Sequence, residues 1–136
     1  MRNILTERVA ANGFLGITAL VVLFHLLVIF SIIPPDMVWG GRIGSATEMM
    51  TLEVFSIALN LVMFAVVAVK AGVIRVKVHP TVVKVALWTM AVLFLLNTVG
   101  NLLSNNELEK LLFTPLTLLL SVFCFRLALP AAPQKA

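Results

Sequence analysis

Four long apolar stretches divide this chain, over residues 14–33, 50–69, 81–100 and 111–129, with short polar segments between them. Each holds about 20 residues, which as an α-helix matches the hydrocarbon thickness of a bilayer. With their flanks the stretches predict helices over about 10–33, 46–70, 80–102 and 105–129. They form one four-transmembrane-helix domain over 1–129, followed by a disordered cytoplasmic tail over 130–136. The fold class expected is all-α, an integral membrane four-helix bundle of antiparallel up-down-up-down order with both termini inside.

The punctuation between the stretches refines these limits. Pro34-Pro35 stops the first stretch, because proline lacks an N–H and clashes with the preceding turn. That stretch is too long for the apolar region of a signal peptide, and no small-x-small cleavage site follows it, so it reads as a membrane helix. Ser45-Ala-Thr-Glu48 and Ser104-Asn-Asn-Glu107 both carry the capping-box spacing, placing helix starts near Ala46 and Asn105. Glu48 and Glu107 thereby have a structural purpose at the positive ends of their helices. Pro80 suits the first turn of the third helix. The segment 70–80 alternates apolar and basic residues and reads as a strand-like excursion along the membrane surface, its charge facing anionic headgroups.

Composition agrees with a chain whose main solvent is lipid. Of 136 residues, 61% are hydrophobic and 12% charged, and the mean hydropathy is +1.10; soluble domains carry about a quarter charged residues. The net charge of +4 does not point to nucleic acid, because the basic residues fall where membrane topology needs them and no aromatic-rich basic surface accompanies them. Arg2, Arg8, Lys70, Arg75, Lys77, Lys84, Arg126 and Lys135 lie on one side of the four crossings, leaving Arg42 and Lys110 on the other. Asp36, Glu48, Glu53, Glu107 and Glu109 share that second side. By the positive-inside rule the first side is cytoplasmic, and the expected location is a bacterial inner (plasma) membrane. The single cysteine, Cys124, excludes an intramolecular disulfide and a CxxC redox pair.

Polar side chains inside the apolar stretches are the candidates for chemistry, since each costs a few kcal/mol to insert unless partnered. Glu53, Ser56 and Asn60 form a stripe on the second helix, and Asn97 and Asn101, four apart, share a face of the third. Thr114 and Thr117 flank Pro115 on the fourth. His25 is placed near the midplane of the first helix, level with Asn60, a depth that sets it a turn or more from Glu53. The expected ligand-binding residues are His25, Glu53, Asn60, Asn97 and Asn101, with Asp36, Trp39 and Arg42 in a lid over 34–44. Competing structural roles are interhelical hydrogen bonding for the asparagines, pairing with Arg42 for Glu53, and simple packing for His25. Arg126 is expected to snorkel to the inner surface. His79 lies on the opposite side from His25, so no metal or haem site forms within one chain, and no cofactor motif is present.

In size and helix number the chain resembles small multidrug exporters, whose essential membrane glutamate stands in the first helix, where this chain has His25. In outline it also resembles four-helix isomerase and sterol-binding membrane domains. Neither resemblance offers motifs that match residue by residue, so neither transfers a function. The function expected is binding of a small hydrophobic, lipid-like or cationic ligand in the outer half of the bundle. The alternatives are a membrane-embedded enzyme such as an isomerase, a structural or accessory subunit, and an oligomeric transporter. Expected partners are membrane lipids, the ligand itself, and a second copy in a homodimer.

Overall fold

The computed structural model describes residues 5–34, 38–39 and 44–130 and is all-helical over them. Its four helices are α1 (Glu7–Ile29), α2 (Ala46–Lys70), α3 (Pro80–Leu102) and α4 (Glu107–Ala128). Each is long and apolar enough to cross a membrane. Large apolar side chains such as Leu20, Phe55, Leu96 and Leu111 stand exposed on all four. Helices apolar all round are stable only where their outer faces also meet an apolar medium, which is consistent with an integral membrane protein.

The four helices pack in a ring. α3 lies most extensively against α4 and α1 against α2; α1 and α4 close the ring, and α2 touches α3 least. The main core joins Ala10 and Phe14 of α1 to Val67, Leu87, Phe94, Leu120 and Cys124. Gly13 permits the α1–α4 approach, since a Cβ there would stand 2.6 Å from the ring of buried Phe123. Buried hydroxyls join α3 to α4: Ser121 Oγ donates to the Ala91 carbonyl at 2.8 Å, and Thr98 and Thr117 share a bond at 2.9 Å. A smaller cluster of Val28, Val38 and Met49, with Phe24, Ile33 and Trp39 against it, fills the end where α1 meets the start of α2.

The helix limits agree with the sequence reading at the start of α2 and differ from it at α1 and at the start of α4. α1 starts earlier because Thr6 caps it, accepting from Val9 N at 3.2 Å, and it ends at Ile29, five residues before Pro34. Ser31, in the left-handed region at φ 57°, follows that end. α2 begins at its Ser45 cap, whose Oγ accepts from Glu48 N, while Glu48 accepts from Gly44 N. α4 is capped not by Ser104 but by Asn106, whose Oδ1 accepts from Leu108 N and Glu109 N. Ser104 instead bonds the Glu109 carboxylate, leaving Glu107 to pair with Lys110 on the surface. The segment 75–79 is exposed and carries no regular structure.

Arg126 does not snorkel. It is only 3% exposed, because the end of α4 is covered by the start of α1. Its Nε donates to the Leu5 carbonyl at 2.8 Å, and Nη1 lies 3.5 Å from Glu7 Oε1. The one acid that the charge tally left on the basic side thus has a buried partner. Of the remaining sequence expectations, Asp36, Arg42 and tail residues 131–136 lie outside the described residues.

Candidate functional site

The site is built around Glu53, the eighth residue of α2, which has no exposed surface. A carboxylate so placed must find donors for both oxygens, since leaving one unpaired costs the desolvation of a charged group. Oε2 meets His25 Nδ1 of α1 at 2.6 Å, and Oε1 accepts from the Trp39 indole Nε1 at 2.7 Å. One side chain of α2 therefore holds both α1 and the loop between the two helices.

The His25 contact overturns the expected separation in depth. Because α1 ends at Ile29, His25 lies one turn from the end of its helix, beside the early turns of α2. Trp39 is held in an uncommon backbone state, φ 57°, which for a bulky residue costs of order 1–3 kcal/mol and persists only where surrounding contacts enforce it. Its bond to Glu53 and its packing against Val28, Val38 and Met49 supply that constraint.

In front of His25 and Trp39 lies a cavity of about 330 Å³ lined from all four helices. His25, Asn60, Asn97 and Asn101 all line it, whereas Glu53 stands behind His25 and Trp39 and does not. The apolar wall includes Phe24, Phe55, Phe94 and Phe113, with Phe24 edge-on to both His25 and Phe113. Both α2 and α3, the most sparsely packed neighbours in the ring, contribute to the cavity lining.

The amides divide by what already holds them. Asn60 Nδ2 donates to the Ser56 carbonyl of its own helix at 2.8 Å, and Asn101 Nδ2 donates to Thr117 Oγ1 at 3.3 Å. Asn101 therefore does join α3 to α4, yet its carbonyl oxygen and that of Asn60 make no hydrogen bond among the described residues. Asn97 makes no hydrogen bond among the described residues and is exposed. His25 Nε2 likewise has no partner among the described residues, and the side chain retains 15% exposure. Glu109, which the sequence placed only among the outer acids, also lines the cavity and is bonded to Ser104.

Chemically the site offers an imidazole fixed through one nitrogen by a buried carboxylate, three amides with spare capacity, and an aromatic wall. A carboxylate behind a histidine sets the orientation of the ring and supports proton transfer at its other nitrogen. Among the described residues no group of three or more His, Cys, Asp or Glu side chains is placed to hold a metal ion. Compared with family models, with curated proteins and with solved structures, the chain shows no match.

Replacing Glu53 by Ala leaves His25 and Trp39 without their shared partner and should destabilise the protein by roughly 3–5 kcal/mol, the usual cost of breaking a buried pair. Trp39→Phe orphans only Oε1 and should cost about 1–3 kcal/mol. Thermal unfolding in detergent checks both, and the order Glu53→Ala below Trp39→Phe below wild type is the expected result.

Proposed function

We propose that this protein binds a small hydrophobic or lipid-like ligand in the cavity between α2 and α3, its polar end at His25 and the asparagines. The observation that carries the reading is the convergence of all four helices on one aromatic-walled cavity whose His25, Asn60, Asn97 and Asn101 keep unused hydrogen-bonding capacity. Internal glue would consume that capacity, whereas a ligand pocket is mostly apolar with a few convergent polar groups. The sparse packing of α2 against α3 suits a ligand arriving from the hydrocarbon layer. The region around Trp39 serves as a lid, held shut by Glu53. Glu109 in the lining makes a hydrophobic cation the competing ligand class.

A second reading is favoured by the 2.6 Å contact between His25 and Glu53. A carboxylate-backed imidazole facing an apolar cavity is suited to general acid–base work on a lipid-soluble substrate, with His25 Nε2 moving the proton and Glu53 positioning the ring. Binding comes first in either case.

The binding test uses Trp39 as its own reporter. In a Trp88→Phe background, Trp39 is the one remaining tryptophan, and its emission is followed while farnesol or tetraphenylphosphonium is added. Farnesol should give a saturable change, weakened about 5–10-fold in His25→Ala and in Asn97→Ala, as expected for one lost hydrogen bond. A stronger response to the cation moves the reading to a cationic ligand. No saturable response to either probe, or unchanged affinity in both variants, contradicts it.

The orientation belongs to the same proposal: an up-down-up-down bundle with both termini and the 71–79 loop in the cytoplasm and the cavity in the outer half. Its supports are the distribution of Lys and Arg, the meeting of late α1 with early α2 through His25 and Glu53, and the meeting of early α1 with late α4 through Leu5 and Arg126. A C-terminal green fluorescent protein fusion should fluoresce in bacterial cells and a C-terminal alkaline phosphatase fusion should be inactive. The opposite pair of results reverses the orientation.

A further inference from the structure

A second cavity, of about 410 Å³, opens at the other end of the bundle, where the end of α2, the start of α3 and the end of α4 come together. Val76, Val83, Leu87 and Leu127 form part of its wall, and Lys70 and Lys84 stand on its lining. The charge around it is one-sided. Arg75 and Lys77 lie on the loop that supplies Val76 and Val78, and no Asp or Glu occurs between Glu53 and Glu107. None of these four cations makes an ion pair or hydrogen bond among the described residues. The nearest end-of-bundle acid, Glu7, is already engaged by Arg126.

Two unneutralised ammonium groups over an apolar recess require an anion that is itself attached to something apolar. We infer that this cavity is a binding site for an anionic phospholipid, its phosphate between Lys70 and Lys84 and its acyl chains along α3. Beyond Lys84, α3 turns Val85, Trp88 and Val92 outward, an apolar track for the chains. A soluble phosphate would satisfy the lysines but leave the recess empty of apolar contact, and a zwitterionic headgroup would bring its own cation to a recess already lined by two, with two more on the adjoining loop. Juxtamembrane lysines near anionic headgroups each contribute modestly, so the specificity comes from two of them converging on one recess. The site is separate from the His25 cavity, and its occupancy does not depend on the ligand proposed there.

The test titrates the full-length protein in mild detergent with dioleoyl phosphatidylglycerol or dioleoyl phosphatidylcholine and counts bound lipid by native mass spectrometry. Phosphatidylglycerol should be retained over phosphatidylcholine, and Lys70→Gln with Lys84→Gln should weaken its binding by roughly 30-fold, about 5-fold for each lysine. Arg75→Gln with Lys77→Gln, which removes the same charge from outside the cavity lining, should weaken it far less. Lys70→Arg with Lys84→Arg should keep the preference, which guards against a loss caused by misfolding. Equal weakening by the two glutamine pairs shows diffuse surface attraction and overturns the site. Equal retention of both lipids overturns it as well, and displacement of the lipid by millimolar inorganic phosphate overturns the assignment to a phospholipid.

Discussion

A carboxylate with no exposed surface, in a helix of predominantly apolar side chains, imposes a condition on everything near it: both oxygens must find donors within the fold. Glu53 meets that condition with His25 from α1 and Trp39 from the intervening loop. The two contacts fix the relative height of α1 and α2, hold Trp39 in a strained backbone state, and turn the imidazole toward the cavity. Apolar packing alone specifies such things poorly in a membrane, where a helix gains little by burying one apolar face rather than another. The polar connection selects one arrangement among many of similar packing quality.

The bundle divides its polar groups unequally. Where α3 meets α4, hydroxyls of Thr98, Thr117 and Ser121 bond across the interface and the helices lie close. Between α2 and α3 the packing is sparse, and the cavity beside them is lined by amides and the His25 imidazole as well as aromatic side chains. That difference separates a half whose helices are bonded to one another from a half whose polar groups keep hydrogen-bonding capacity among the described residues. At the other end Arg126 and Glu7 close the α1–α4 seam, leaving Lys70 and Lys84 as cations without acids.

Much of this was legible in the amino-acid order, and the part that was not has physical causes. Four apolar stretches of membrane length announce four helices, and Ser45 with Glu48 announces where α2 begins. The start of α4 was ambiguous because Ser104 and Asn106 are both competent caps two residues apart, and tertiary contact drew Ser104 to Glu109 instead. The end of α1 carries no local marker before Pro34, so the apolar pattern extends the helix about a turn too far and places His25 too deep to touch Glu53. Arg126 and Glu7 stand at opposite ends of the chain, and no local pattern marks them as partners. The asparagines were identifiable from residue type and spacing alone, because amides in an apolar helix are rare and need a reason.

The most direct test of the account is whether His25 and Glu53 touch when the protein is in a bilayer. Solid-state NMR on protein reconstituted in lipid, with 13C at the Glu53 carboxyl and 15N in the His25 ring, measures their dipolar coupling. A Nδ1–Oε2 contact of 2.6 Å requires strong dephasing of the Glu53 carboxyl signal by Nδ1, lost in His25→Gln. A Glu53 signal that shows no coupling to the His25 ring, or one coupled only to Nε2, contradicts the arrangement on which the cavity depends.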